Sequence, residues 1–435
     1  MIRYILAFAL TVVALPARAI DIQEITSPGG IDAWLVQESS IPFVAIEIVF
    51  DGGATLDLPG KRGATNLMMA LLEEGSGDLD ARGFQEAREA LAASYGFDAY
   101  DDSVSISAVF LTENQDEAVA LLRSALIEPR FDDDAIERVR AQVQSILRSD
   151  AQDPNSIAGA AFDAAAYGDH PYGSSLDGTT ETVAGLTQVD LFDAHRNALV
   201  TGRVHVGAAG DISAEELGAL IDDLIGDLPS DGPDIPDRVE FSLTGGTTII
   251  DYDTPQSVAL FGHAGIERDA DDFFAAFILN EILGGSGLES RLMREVREER
   301  GLTYGIYTYL VPKDLSESYL GQVASSNDTI AEAIDVVRAE WALMANEGVS
   351  AEELAQAKTY LTGAYPLRFD GNADIAGILV GMQAVGLPTE YIENRNDYVN
   401  AVTLEDVNRV ASELLDPDGL HFVVVGQPEG LEASD

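Results

Sequence analysis

The sequence predicts an α+β protein made of two homologous domains. Patterns typical of strands and helices occur twice in the same order, about 215 residues apart. A stretch rich in proline and aspartate, residues 228–238, separates the copies and predicts a linker without regular structure. The length of 435 residues is enough for two domains that each bury a core. We therefore predict domains over residues 20–227 and 239–435.

The first copy begins with a strand pattern at residues 42–50, where Val44, Ile46, Ile48 and Phe50 occupy alternate positions. Alternation of this kind is typical of a strand that buries one face. The predicted elements that follow are a helix at 63–74, a strand at 104–110, a helix around 118–125 and a helix at 133–148.

The second copy repeats this order with its own turn signals. The sequence Ser-Ser-Asn-Asp at 325–328 predicts the turn that precedes its second helix. The predicted elements are strands at 256–262, 304–311 and 319–324, and helices at 271–283, 330–341 and 351–361. A period this long excludes a solenoid, whose repeats have about 20 to 50 residues.

Acidic residues dominate the charge, since 75 Asp and Glu face 25 Lys and Arg and the net charge is -50. Nucleic-acid binding and docking to anionic lipid both need a surplus of cations, so we expect neither. The absence of cysteine excludes disulfides, thiolate nucleophiles and Cys-built metal sites. We expect the acidity to serve solubility by self-repulsion.

The N-terminus has the pattern of an export signal. Arg3 precedes a mainly apolar stretch, and the small residues Ala17 and Ala19 lie just ahead of the expected cleavage point before Ile20. Residues 1–19 are therefore predicted to be a signal peptide, with an uncleaved membrane anchor as the alternative. We expect no stable membrane insertion of the mature chain, because no second long apolar run follows.

Common catalytic motifs are missing from the sequence. No two histidines are four or fewer residues apart, which excludes the helical pair of a typical zinc site, and no Gly-x-Ser-x-Gly elbow occurs. Acidic runs at 132–134 and 269–272 lack calcium-loop spacing and are interpreted as solvated helix caps. The five histidines, interpreted as ordinary surface or core residues, are His170, His195, His205, His263 and His421.

A glycine-rich loop and a charged segment follow one another in the second copy. Gly284, Gly285 and Gly287 lie between two helices, so a phosphate cradle is not expected, and the loop is either a flexible connection or a part that contacts substrate. In the segment 290–300, Arg291 precedes Glu295 by four residues, which predicts a salt-bridged surface helix. Gly301 is placed to end that helix.

The run Gly-Leu-Glu-Ser-Arg-Leu-Met-Arg-Glu-Val-Arg-Glu-Glu-Arg-Gly-Leu-Thr-Tyr-Gly-Ile at 287–306 resembles the C-terminal signature of the insulinase/pitrilysin family of zinc metallopeptidases, which includes the mitochondrial processing peptidase. The duplicated plan and the dipeptide Asp153-Pro154 match as well. The resemblance implies a clam-shell of two α/β-sandwich domains. It also implies that Arg297 and Tyr304 reach substrate at a zinc centre, and it places the glycine loop at the substrate.

The N-terminal half departs from the family at the zinc site. Active members carry H-x-x-E-H, but residues 66–70 are Asn-Leu-Met-Met-Ala, so Asn66 and Ala70 replace the two histidines and Met69 replaces the catalytic glutamate. A carboxamide, a methyl and a thioether cannot supply those functions. The third ligand of the family is a glutamate, and residues 138–148 contain none. We expect no metal or other cofactor in this chain.

The resemblance therefore implies the subunit of a heterodimer that keeps the Arg/Tyr pair, while a homologous partner binds zinc and the substrates are peptides. A signal peptide in this family favours the periplasm. Two alternatives stay open: a catalytically inert structural or scaffolding homologue, and a self-sufficient hydrolase with an unrecognised metal site. As an enzyme, the chain is expected to be active only together with its partner.

Overall fold

A computed structural model describes residues 21–285 and 289–434, so the predicted signal at residues 1–19 and the predicted substrate-binding Gly287 lie outside the described residues. The strands are β1 (Ile22–Thr26), β2 (Asp32–Gln37), β3 (Phe43–Asp51), β4 (Gly75–Ser76), β5 (Leu79–Asp80), β6 (Ser94–Ala99), β7 (Ser103–Leu111), β8 (Val204–Gly210), β9 (Gly246–Asp251), β10 (Gln256–Ala264), β11 (Ile306–Pro312), β12 (Glu317–Ser326) and β13 (His421–Gly426).

The helices of the first half are α1 (Ala64–Leu71), α2 (Ala81–Ala90), α3 (Gln115–Ile127), α4 (Asp133–Asp150), α5 (Pro154–Tyr167), α6 (Thr180–Ala184), α7 (Gln188–Ala198) and α8 (Ala214–Ile225). Those of the second half are α9 (Phe273–Gly284), α10 (Ile330–Glu347), α11 (Ala351–Ala364), α12 (Asn372–Ala384), α13 (Tyr391–Ala401) and α14 (Leu404–Leu414). The predicted α+β class is confirmed. The strand predicted at 304–311 begins two residues late, at Ile306, and residues 228–238 hold no helix or strand.

The two main sheets have the same topology, which confirms the duplication. The first has the strand order β1-β2-β8-β3-β7-β6 and the second the order β11-β12-β10-β13-β9. Read from β6 and from β11, five strands correspond one to one. The parallel pair also falls at the same place, β8 with β2 and β13 with β9, while the other neighbours are antiparallel.

One face of each sheet packs on helices of its own half. The alternating residues of β3 enter the first core, where Phe50 and Phe110 are buried with Leu67 of α1. In the second core, Phe261 stacks on Phe422, with ring centroids 5.0 Å apart. Burial of such apolar side chains is the main favourable term in the folding of both halves.

The other face of each sheet is covered by a helix from the opposite half. Helix α5 of the first half packs on β10 and β13, and helix α12 of the second half packs on β3 and β8. These are corresponding strands, so the exchange is reciprocal. Helix α5 begins where Asp153 accepts a hydrogen bond from the Ser156 N–H and Pro154 occupies the first turn.

Small residues allow the exchanged helices to lie close to the sheets. Ala158 and Ala166 of α5 are buried against the second sheet. On the first sheet, Gly207 of β8 lies under α12, where a Cβ atom would be 2.5 Å from the carbonyl oxygen of Ala376. The contact is therefore backbone against backbone at this point.

A polar cluster joins the halves beside α5. The Asp101 carboxylate accepts hydrogen bonds from Arg62 at 2.9 Å and from Lys313 of the second half at 2.8 Å. The Tyr172 hydroxyl donates to Asp102 at 2.5 Å and accepts from the Leu315 N–H at 3.1 Å. The partly buried charges are thus compensated across the boundary between the halves.

The contact of α12 with the first sheet can be tested at Gly207. We expect Gly207→Ala to lower the free energy of unfolding by about 1–3 kcal/mol, the usual cost of overpacking. Gly377→Ala on α12 is the control, because a Cβ there meets nothing within 4 Å. That change should raise stability by about 0.5–1 kcal/mol through helix propensity. Urea denaturation measures both, and equal effects would contradict the close contact.

The pH dependence of stability can be tested at Asp163 of α5. Burial raises the pKa of its carboxyl from 3.8 to about 6, against the opposing effect of the Lys313 charge. Because the folded pKa exceeds the unfolded one, Asp163 stabilises the fold at low pH and this contribution is lost as pH rises through about 6. We expect Asp163→Asn to gain about 1–2 kcal/mol of stability relative to the native chain between pH 4.5 and 7.5. Urea titrations at both pH values measure this, and a pH-independent difference would contradict it.

Candidate functional site

The segment between α9 and β11 forms a π-helix, Met293–Glu298, instead of the ordinary helix expected from its sequence. The Glu299 N–H donates to the Arg294 carbonyl oxygen five residues back, at 2.9 Å. Single π-helical turns are rare in proteins, and those that do occur are often found at functional sites. Val296 and Met293 are buried and attach this turn to the second core. Arg297 directly follows Val296, near the exposed end of the turn, and is only partly buried.

The ion pairs of this segment differ from the predicted ones. Arg291 does not pair with Glu295 but with Glu353 of α11, at 2.6 Å, because its guanidinium is turned inward and is largely buried. This pair holds the pKa of the Glu353 carboxyl at about 2. Glu295 instead accepts from Arg294 and Arg300 on the surface. Arg291 thereby fixes the π-helix to α11.

Arg297 is the exception among the four arginines of this segment. Within the described residues, neither a carboxylate nor another acceptor pairs with its guanidinium. Gly301 ends the turn as predicted, with a φ of 65° and its N–H donating to the Arg297 carbonyl oxygen at 2.9 Å. The main chain around Arg297 is thus fixed, while its charged group is free to bind something else.

Tyr304 lies in the bend that leads into β11, and 90% of its side chain is exposed. The bend is held by Thr303, whose hydroxyl donates to the Ala324 carbonyl oxygen at 2.7 Å and accepts from the Gly305 N–H at 3.1 Å. Buried Leu302 and Ile306 fix the chain on both sides. A fixed backbone therefore presents an aromatic hydroxyl to solvent, without a hydrogen-bond partner among the described residues.

The two predicted glycines that the structure describes have packing roles. A Cβ at Gly284 would lie 2.5 Å from the Thr308 hydroxyl, so only glycine lets the end of α9 approach β11 this closely. A Cβ at Gly285 would meet the Glu281 side chain. Gly285 also lines a cleft of about 370 Å³ that follows β11. Contact of this loop with a substrate stays a prediction.

Two tyrosines on β11 belong to the same surface but were not recognised in the sequence. Tyr307 and Tyr309 project from one face of the strand, are partly exposed and line the cleft. Their alternation with buried Ile306 and Thr308 was the available signal. β11 is the edge of its sheet, so its outer N–H and C=O groups have no ladder partner in the described chain.

The three positions that align with the zinc site of active members lie on α1. Their side chains make packing or hydrogen-bond contacts. Met69 is buried in the first core, and Ala70 packs against that core. The Asn66 amide donates to Asp177 at 2.7 Å. Among residues 21–285 and 289–434, no group of three or more His, Cys, Asp or Glu side chains is placed to hold a metal ion. These side chains do not fit a zinc ion.

Every histidine has an ordinary structural contact, as predicted. Burial lowers the pKa of both His195, which bonds to the Leu126 carbonyl oxygen, and His263, which accepts from the Trp341 indole at 3.1 Å. The remaining three also have hydrogen-bond partners; they are His170, His205 and His421.

The acidic runs are surface features, but they do not cap in the way expected. Asp132 and Asp272 occupy N-cap positions, yet neither side chain accepts a helix N–H. Each pairs with an arginine instead, Asp132 with Arg130 at 2.7 Å and Asp272 with Arg409 at 2.6 Å. A strong cation nearby competes successfully with the neutral N–H donors.

Among the described residues, no helix combines the length and apolarity needed to span a bilayer.

Comparison with known proteins gives matches along most of the chain. The profile of the insulinase family (peptidase family M16) matches residues 34–180, and that of the peptidase M16 inactive domain matches residues 185–361. The non-peptidase homolog YmxG of Helicobacter pylori is 24% identical over 386 residues, which cover 88% of this chain and 89% of the relative. An uncharacterized zinc protease of Mycobacterium leprae is 26% identical over 403 residues, 92% of this chain and 90% of the relative.

Solved structures have the same fold. The peptidase M16 inactive domain from Pseudomonas fluorescens superposes with a TM-score of 0.88 at 26% identity, covering 95% of this chain and 100% of that one. A protease from Helicobacter pylori superposes with a TM-score of 0.84 at 16% identity, covering 94% and 100%. The second match is a likeness of fold alone.

The anchoring of the π-helix can be tested at Arg291. We expect Arg291→Ala to lower the free energy of unfolding by about 2–4 kcal/mol, because the largely buried carboxylate of Glu353 loses its partner. Arg300→Ala is the control, since the exposed pair of Arg300 with Glu295 should contribute less than about 1 kcal/mol. Thermal and urea denaturation measure both variants. Similar losses in the two would show that Arg291 is not an anchor.

Proposed function

Because the chain belongs to the M16 (insulinase) family of peptidases, we propose that it is a member that binds no zinc itself and works with a zinc-bearing homologue. In that mixed complex it supplies Arg297 and Tyr304 for the hydrolysis of peptides. The observation that carries the proposal is a contrast between the two halves. The side chains at the zinc positions of α1 are engaged in packing or hydrogen bonding, whereas Arg297 and Tyr304 have no partner in the described chain.

The first half offers no route to hydrolysis by the chain alone. Zinc peptidases use the metal to lower the pKa of a bound water and a carboxylate to take its proton. Asn66, Met69 and Ala70 can do neither, and no step is assigned to them. The Helicobacter relative described as a non-peptidase homolog and the Pseudomonas structure described as an inactive domain support this part of the proposal.

The second half retains groups that stabilise negative charge. The Arg297 guanidinium is a cation whose N–H donors have a fixed planar arrangement, and the Tyr304 hydroxyl is a neutral donor on a bend held by hydrogen bonds. Aimed at a peptide carbonyl, such donors stabilise the oxyanion that forms when water attacks. Such donors need less reorganisation when their backbone is fixed. Buried Val296 directly precedes Arg297, and buried Leu302 and Ile306 lie on either side of Tyr304.

The edge of β11 is a suitable place for the substrate. An extended peptide can add to a sheet edge through main-chain hydrogen bonds, which select for an unfolded segment and not for a sequence. Tyr307 and Tyr309 would then contact its alternate side chains. We propose export as well, to a periplasm, because of the signal pattern at residues 1–19.

A catalytically inert scaffold is the second candidate function. The descriptions of the Helicobacter and Pseudomonas relatives favour it, since the first is described as a non-peptidase homolog and the second as an inactive domain. The two candidates differ in one respect: a scaffold has no use for free side chains at positions 297 and 304.

The test is an assay of the purified mixed complex with an H-x-x-E-H homologue from the same genome, using an unstructured fluorogenic peptide. We expect Arg297→Ala and Tyr304→Phe each to lower kcat by about 10²- to 10³-fold, the usual loss of one oxyanion donor. Zinc content, measured by atomic absorption, should stay constant because the metal belongs to the partner.

Controls separate these effects from general damage. Arg300→Ala removes a nearby arginine that is paired with Glu295, and Tyr100→Phe removes an exposed hydroxyl in the first half. Both should leave kcat unchanged. Unchanged turnover in Arg297→Ala and Tyr304→Phe would favour the scaffold, and hydrolysis by the lone chain with stoichiometric zinc would overturn both candidates.

A further inference from the structure

A second cleft, of about 380 Å³, lies between α9, α12, α13 and the 3₁₀-helix Tyr365–Phe369. Its wall includes the rings of Phe273, Phe274 and Phe277. Three guanidinium groups also line it, those of Arg268, Arg368 and Arg395, and we call it the arginine cleft. It is separate from the surface of Arg297, Tyr304 and β11, and the proposed peptidase role makes no use of it.

The charge of the cleft is the reverse of the charge of the chain. The net charge is -50, and 13 of the 20 arginines in the described residues form an ion pair with a carboxylate. Three of the seven that do not are Arg268, Arg368 and Arg395. Acids are three times as common as bases here, so three neighbouring arginines without an acid need an explanation.

Arg395 has the strongest need for an anion. Only 6% of the residue is exposed, and its guanidinium donates to two neutral acceptors, the Leu361 carbonyl oxygen at 2.8 Å and the Asn396 side-chain oxygen at 3.2 Å. It lies over the ring of Tyr365, 4.7 Å from the centroid. Burial lowers the pKa of Arg395, and the charge of Arg368 acts in the same direction. An uncompensated buried charge is unfavourable, and an anion in the cleft would offset that cost.

The other two arginines can reach a ligand without a large rearrangement. Arg268 is stacked over Phe273, 4.3 Å from the ring centroid, and donates to the Tyr391 hydroxyl at 3.2 Å. Such stacking fixes the plane of the guanidinium and leaves its edge for an acceptor. Arg368 is exposed at the rim and has no ion pair in the described chain.

We propose that the arginine cleft binds an organic anion, with a carboxylate held by Arg395 and Arg368 and an apolar body packed against the three phenylalanine rings. The arginine fork matches a carboxylate with two parallel hydrogen bonds. The volume falls in the range of small-molecule sites, about 300–1,000 Å³. The aromatic wall selects against inorganic anions, which have no apolar surface to bury. The ligand is either a free small acid or the C-terminal residue of a peptide, since both present the same chemistry.

Isothermal titration calorimetry of the full chain with matched probes tests the proposal. The small-molecule arm compares 3-phenylpropanoate with 3-phenylpropanamide, and the peptide arm compares Ala-Ala-Phe with its C-terminal amide. We expect the carboxylate of at least one pair to bind at least about 10-fold more tightly than its amide. If the small acid binds more tightly than the tripeptide, the ligand is a free small acid. If the tripeptide binds more tightly than the small acid, the ligand is the C-terminal residue of a peptide.

Variants connect the binding to the arginines. Arg368→Gln, at the exposed rim, should weaken binding of the preferred carboxylate about 5- to 10-fold and leave binding of its amide unchanged. Arg395→Lys keeps the charge but loses the fork, and it should also weaken the carboxylate alone. Arg148→Gln is the control, because Arg148 is another exposed arginine without an ion pair, on α4 in the first half.

Should Arg395→Lys fail to fold, as judged by circular dichroism, Arg368→Gln decides the question. The proposal is wrong if acid and amide bind equally in both pairs, or if none of the four probes binds at millimolar concentration. It is equally wrong if Arg368→Gln and Arg148→Gln have the same effect on the carboxylate.

Discussion

The whole molecule depends on the reciprocal cover of the two sheets. A mixed sheet with helices on one face still has a second face to bury, and each half of this chain uses a helix of the other half for that purpose. Small residues make this possible by letting helix and strand backbones come close, namely Ala158 and Ala166 on α5 and Gly207 on β8 beneath α12. Consequently the two halves pack together as one unit, although each half is a continuous stretch of the sequence.

This rigidity matters most at the segment between α9 and β11. Its two candidate donors, Arg297 and Tyr304, are polar groups on a backbone attached to the core at Val296, Leu302 and Ile306. Donors on a backbone that is fixed before the substrate arrives need less reorganisation when negative charge develops, which is the basis of electrostatic stabilisation. The largely buried pair of Arg291 with Glu353 adds an electrostatic attachment to the apolar ones.

Much of the fold was predictable from local patterns. Strand patterns located β3, β7, β10 and β12, and the repeated order of elements revealed the duplication before any topology was known. The exchange of α5 and α12 was not predictable, because periodicity shows that a helix has an apolar face but not which sheet that face covers.

The site was predictable in part, for similar reasons. The capping role of Gly301 follows from local sequence and is confirmed. The expected pair of Arg291 with Glu295 was wrong, because four-residue spacing holds for an ordinary helix on the surface, whereas here the helix is widened and Arg291 turns inward to a distant acid. The arginine cleft had no sequence signal, since Arg268, Arg368 and Arg395 become neighbours only through tertiary structure.

The reciprocal cover also bears on how such a protein can change over time. The half whose α1 carries Asn66, Met69 and Ala70 offers no metal ligands at these positions, yet it cannot be discarded. Its helix α5 lies on the sheet whose edge strand β11 follows Arg297 and Tyr304 in the chain, so deleting the first half would expose that sheet to water. The first domain is thereby an obligatory part of its neighbour's core, independently of any chemistry of its own.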